Sequence, residues 1–164
     1  MLETDRLVIR PFVATDASFI VELVNDPAWL LYIGDKNIRS RDDAARYIED
    51  GPRAMYRRAG FGLWLVALKD GTPIGMCGLV RREDLEDADL GFAFLPQYRR
   101  SGYAFEAAQR VLSHGRRVLR LARIVAITVP ANVASINLLR KLGFAREKTI
   151  VRNDETLDLY AYAR

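Results

Sequence analysis

Between Asp89 and Val129 the chain passes through an apolar stretch, a turn built on Pro96 and Gly102, a long amphipathic segment and a second apolar stretch. Asp89 to Leu95 reads as a strand. Ala104, Ala107, Ala108, Val111, Val118 and Leu119 recur at helical spacing, and Arg123 to Val129 is apolar and β-branched enough for a buried strand. Two strands joined through a helix lie side by side as one parallel, right-handed crossover, so this segment alone requires a sheet with a helix across one face. Gly115 weakens that helix somewhat.

The flanking sequence adds strands on both sides. Leu7 to Phe12 is a short strand closed by Pro11, and Thr15 offers an N-cap to a helix with Ala17, Ile20, Val21 and Val24 on one face. Asp26 and Pro27 end it. Ser40 followed by Asp43 resembles a capping box for a second helix to about Ile48, with Gly51 and Pro52 interrupting or restarting it. Phe61 to Lys69 and Thr72 to Val80 flank Asp70-Gly71, a strong hairpin signal. Asn132 caps a helix through Leu142 that stops at Gly143, and Phe144 to Arg152 with Leu157 to Ala163 form a closing hairpin around Asn153, Asp154 and Glu155. The order is mixed α/β, and 164 residues suit a single domain spanning residues 1–164.

Several function classes are disfavoured. Cys77 is the only cysteine and His114 the only histidine, so neither a disulfide nor a zinc-type ligand set is available, and no metal is expected. That usage points to a reducing, cytoplasmic compartment. The longest apolar run, Phe61 to Leu68, is too short for a membrane span, and Glu3 and Asp5 stand where a signal peptide is apolar. A net charge of +4, with arginine pairs scattered along the chain, makes no continuous stripe for nucleic acid but suits a small anionic ligand.

Arg99, Arg100, Ser101, Gly102, Tyr103 and Ala104 lie between the central strand and the long helix. There, backbone amides converge with the helix dipole to hold an anion. Gly102 leaves room for a phosphate to approach. The spacing is neither that of a Walker loop nor that of the three-glycine dinucleotide fingerprint, which disfavours ATP and NAD.

Arg99-x-x-Gly102-x-Ala104 in this position resembles the acyl-CoA pyrophosphate loop of the GNAT superfamily of N-acetyltransferases. The likeness extends along nearly the whole chain. Leu2 to Leu7 with Arg10-Pro11 is similar to the opening of the RimJ/RimL-like branch, which acetylates N-terminal amines of ribosomal proteins and other amines. Asp89-Leu90-Gly91-Phe92 resembles its acidic, aliphatic, glycine, aromatic strand, and Asn132 to Ser135 with Leu142-Gly143-Phe144 resembles its later motif.

The resemblance implies a GNAT fold, a mixed and mostly antiparallel central sheet flanked by helices on both faces. It implies transfer of acetyl from acetyl-CoA, without metal, to a primary amine: a peptide or protein N-terminus, or a small amino compound. Partners are acetyl-CoA and that amine, in a monomer or homodimer. Arg99 to Ala104 would hold the pyrophosphate, and the backbone of Phe92, Ala93, Phe94 and Leu95 the pantetheine arm. Asn132 and Ser135 would stand at the thioester end, with Ser135 donating a proton to the thiolate. Asp89 would take the proton of the amine, with Glu83, Glu86 and Asp87 as alternatives. By itself Asp89 also reads as a solvated strand-edge acid, and Asn132 and Ser135 as ordinary capping residues. Trp29 and Tyr32, in the irregular stretch to Arg39, would line the acceptor pocket opposite Arg152 to Thr156. The family's usual tyrosine acid is replaced by Leu139, which leaves Ser135, Tyr103 or no acid at all. That departure also leaves open a non-catalytic acyl-CoA sensor on the same fold.

Overall fold

The computed structural model describes residues 1–162, and Ala163, expected at the end of the last strand, lies outside the described residues. Eight strands form one sheet: β1 (Leu2–Glu3), β2 (Leu7–Arg10), β3 (Leu63–Leu68), β4 (Pro73–Val80), β5 (Ala88–Phe94), β6 (Ile124–Thr128), β7 (Phe144–Arg152) and β8 (Glu155–Tyr162). Their spatial order is β1-β2-β3-β4-β5-β6-β8-β7, and every neighbouring pair is antiparallel except β5 and β6. The expected mixed, mostly antiparallel sheet is present.

Strand alternation sorts the apolar residues into two cores. Leu7, Ile9, Val66, Leu79, Leu90 and Phe94 face the long helix α5 (Tyr103–Arg117) and α6 (Val133–Leu142). Leu65, Ala67, Met76 and Leu95 face the other way, beneath α1 (Ala17–Val24), α2 (Pro27–Tyr32) and α3 (Arg41–Ile48). A π-helical turn at Glu49–Arg53, around buried Pro52, joins α3 to α4 (Ala54–Ala59). Helices therefore cover both faces.

Some local expectations change. Thr15 does not cap α1. A 3-10 turn at Ala14–Asp16 leads into it, and Asp16 takes the Val13 amide at 2.9 Å and both Arg10 nitrogens at 2.9 Å. The stretch from Trp29 is not irregular throughout, because Asp26 accepts from the Ala28 and Trp29 amides and Pro27 opens α2. α5 stops at Arg117, leaving Val118 65% exposed.

Close approach in the sheet limits one position severely. A Cβ on Gly78 would lie 2.1 Å from the Gly62 carbonyl oxygen and 2.7 Å from Leu63 Cα, both backbone atoms of the neighbouring β3 end. Gly78→Ala must push β3 away from β4, and we expect it to cost roughly 2–3 kcal/mol. A fall in the urea midpoint at unchanged m-value measures this.

Candidate active site

β5 and β6 pair only at Ala88↔Ile124 and Asp89↔Val125 and then part. On its other edge β5 stays in register with β4 through Gly75↔Phe94, and the Leu95 amide still donates to Ile74 at 2.9 Å. Antiparallel alternation then turns the backbone groups of Phe92 and Phe94 towards the opening beside β6. The Phe94 carbonyl is occupied by Arg99 Nε at 3.0 Å. The remaining edge of β5 is a strand edge within the sheet, and an extended chain bearing amides can pair with it.

β5 leads into a 3-10 turn, Pro96–Tyr98, and then into the loop that opens α5. Arg100 (φ 61°) and Gly102 (φ 81°) are both left-handed, and Gly102 is the N-cap. Within the described residues, the amides of Arg100 to Phe105 donate to no protein group. Such a run of free N–H groups at the start of a fifteen-residue helix suits a doubly charged anion such as a diphosphate. Arg99 is placed differently from expectation. Its Nη2 pairs with buried Asp26 at 2.6 Å, tying the start of α2 to this loop, so Arg99 is held by the protein itself.

At the opposite end of β5, where the strands part, stands Asp89. It is 2% exposed, not a solvated edge acid. Its Oδ2 accepts from Arg82 Nε at 2.7 Å, while Oδ1 is buried without a hydrogen-bond partner. Burial pushes its pKa up, against the Arg82 guanidinium and the Arg152 charge. Charges from segments far apart in sequence act on this carboxyl or are felt through its partner Arg82. Arg152, at the end of β7, pairs with Asp84 through Nη2 at 3.1 Å. Lys36 is exposed as a residue, and partial desolvation with the charges of Arg82 and Arg152 lowers the pKa of its ammonium. The Tyr47 phenol is pushed up by burial, with Arg82 acting in the opposite sense. Arg82 and Arg152 thus act on Asp89, and the same two charges act on Lys36. The other acids are placed elsewhere: Asp87 pairs with Arg123 at 2.9 Å, and Glu83 and Glu86 are exposed.

A family model described as an acetyltransferase (GNAT) domain matches residues 6–145. The chain belongs to the GNAT acetyltransferase family. It is 32% identical over 152 residues to YoaA of Bacillus subtilis (strain 168), an uncharacterized N-acetyltransferase, covering 90% of this chain and 84% of that protein. It superimposes on a GNAT-family acetyltransferase from Bacillus anthracis with a TM-score of 0.79 at 27% identity, covering 98% of this chain and 95% of that one. RimL, a ribosomal alpha-N-protein acetyltransferase solved in complex with coenzyme A, matches in fold with a TM-score of 0.83 at 17% identity, covering 96% and 94%. The protein is therefore an acetyltransferase enzyme, and the expectation of a GNAT fold holds.

α6 opens on the Asn132–Ser135 segment singled out in the sequence. Asn132 caps the helix, its side-chain oxygen accepting the Ser135 amide at 3.2 Å, and the Ser135 side chain is half-buried. Leu139, where the resemblance leads one to expect a tyrosine, is 1% exposed and packed in the α5-side core. Tyr103 lies under Arg6, with the guanidinium carbon 4.3 Å from its ring centroid, at the loop end of β5. Trp29 is a core residue at 5% exposure, and Tyr32, at the end of α2, is half-buried. The large indole packs because capping of α2 turns it onto the α1 side of the sheet. In the sequence Arg82 reads only as one of the scattered, solvated arginine pairs, and Lys36 and Tyr47 carry no signal; no spacing joins the three, since they come from separate segments.

Proposed function

We propose that the protein transfers acetyl from acetyl-CoA to a primary amine by direct attack. In this reading pantetheine lies along Phe92 to Leu95 in the opening between β5 and β6, and the diphosphate is held by the amides of residues 100–105 beside Arg99. Acetyl-CoA supplies an acyl thioester; the chain aligns it and handles the protons. The Phe94 amide is the donor for the thioester carbonyl oxygen, and Asp89, through its unpartnered Oδ1, takes the proton released by the amine. Ser135 protonates the thiolate, with Asn132 holding its helix turn. A covalent cysteine route is disfavoured, because Cys77 is fully buried in the sheet and burial pushes its thiol pKa up.

The observation that carries this reading is the two-residue contact between β5 and β6, with free amides at one end of the opening and a buried carboxylate at the other. We place the chain in the RimJ/RimL-like branch, a reading supported by the fold likeness to RimL. The acceptor is a peptide N-terminus or a small amino compound. The walls proposed for its approach mix Lys36, Arg82 and Arg152 with Asp84, Asp89, Asp154 and Glu155, which suits a zwitterionic or peptide amine better than a polycation. An α-amine of pKa about 8 is about one quarter neutral at pH 7.5, whereas a lysine amine near 10.4 is only about 0.1% neutral.

Release of CoA thiol from acetyl-CoA, followed against peptides, amino acids and polyamines, tests the proposal. Turnover is expected with zwitterionic or peptide amines and least with spermidine. If spermidine is the best acceptor, the acceptor assignment falls; if no amine supports release above hydrolysis, the transferase reading falls.

A further inference from the structure

The turn between β1 and β2 reaches across to the α5 loop. Thr4 fixes the turn by accepting the Leu7 amide at 3.0 Å, and its hydroxyl donates to Glu106. Arg6 then meets Glu106 twice, through its amide at 3.0 Å and its Nε at 2.7 Å. Its Nη1 donates to the Ser101 carbonyl at 2.9 Å, and Nη2 lies 3.2 Å from where a Cβ on Gly102 would stand. Burial raises the pKa of Glu106, but the bonds from Thr4 and Arg6 outweigh it, so the carboxylate stays below its usual range and ionised. Arg6 and Gly102 both line an open cleft of about 580 Å³ beside Phe105, Glu106 and Gln109.

Two physical consequences follow. A trans peptide points its C=O and N–H in opposite directions. Anchoring the Ser101 carbonyl to Arg6 therefore aims the Gly102 amide the other way. Glu106, in the first turn of α5, would otherwise set a negative charge beside a site for phosphates, and the Arg6 pair neutralises it. We propose that Arg6 is a positioning residue for the acetyl-CoA diphosphate, holding the loop from behind through Ser101 and cancelling the charge of Glu106. This rests on the reading of residues 99–104 as the diphosphate loop.

The test compares acetyl-CoA with S-acetylpantetheine, which lacks the diphosphate. Arg6→Ala is expected to raise KM for acetyl-CoA about tenfold, the loss of one charge-assisted contact, with kcat within about twofold. KM for S-acetylpantetheine should stay within about twofold of the parent value. Arg6→Lys still cancels the charge of Glu106 but lacks the planar fork that meets Glu106 through Nε and Ser101 through Nη1, so an intermediate rise of about threefold is expected. It also serves if the alanine variant does not fold. An unchanged KM for acetyl-CoA in Arg6→Ala, equal weakening of both thioesters, or a KM in Arg6→Lys equal to that of the parent, which would leave the Ser101 contact without a role, overturns the proposal. Gly102→Val separates the two claims: if it binds acetyl-CoA normally, the loop reading fails; if it does not while Arg6→Ala does, only the role of Arg6 fails.

Discussion

Gly102→Val is expected to raise the dissociation constant for acetyl-CoA by roughly a hundredfold while the sheet remains folded. Gly102 sits at φ 81°, where a β-branched side chain is strained by at least 1–2 kcal/mol. The loop can relieve that strain only by rotating the peptides on either side, whose amides are those offered to the diphosphate. Losing two charge-assisted hydrogen bonds at roughly 1.5 kcal/mol each accounts for about 3 kcal/mol, which is a factor of about a hundred. Titration calorimetry gives the affinity, and far-ultraviolet circular dichroism reports whether the fold persists. Unchanged affinity in a folded variant would remove the diphosphate from this loop.

The second large effect belongs to Asp89. As the base for the amine, it is expected to contribute about 10²- to 10⁴-fold to turnover, so Asp89→Asn should lose that factor at nearly constant acetyl-CoA affinity. Its raised pKa sets the sign of the pH dependence. Turnover requires the ionised form, so the acid limb of the rate profile lies above the ordinary carboxylate range, and Asp89→Asn should abolish it. Stability runs the other way. The folded protein keeps the Asp89 proton at pH values where the unfolded chain has lost it. This contribution is complete below the unfolded pKa of about 3.9 and disappears as pH rises through the folded value. Arg82→Ala leaves the buried carboxylate without its cation. Because Arg82 is itself one-third exposed, we expect a loss of roughly 2 kcal/mol, less than for a fully enclosed pair, together with a further upward move of the acid limb. Full turnover by Asp89→Asn from about pH 6 to 9 would assign proton removal to water instead.

What the sequence made legible follows from how locally each feature is determined. The Asp70-Gly71 hairpin, the Ser40/Asp43 box and the Asn132 and Gly143 helix ends each depend on residues within one turn, and each appears where its chemistry requires. The α5 loop was visible for the same reason, since its amides belong to the backbone. α2 was missed because six residues hold too little periodicity to read. Its cap, Asp26, is also the partner of Arg99, 73 residues away. The hairpin of β7 and β8 was clear, but that β8 rather than β7 lies against β6 is settled by tertiary packing. The surroundings of Asp89 were the least legible, since Arg82 and the Arg152 charge are brought to bear on it only by the fold.

The brief meeting of β5 and β6 gives the sheet a seam. On one side, strands β1 to β5 form a continuous ladder; on the other, β6, β8 and β7 form a second, and four residues join them. An extended molecule lying in the seam is a missing rung, adding cohesion where the backbone supplies least. By mass action, a molecule at one hundred times its dissociation constant adds about 2.7 kcal/mol to the folded state. In the position proposed for it, acetyl-CoA would be both a reagent and a suture: it would knit the two ladders into one sheet, so that the half carrying Asp89 and the half carrying Arg152 would hold still relative to each other when the amine arrives.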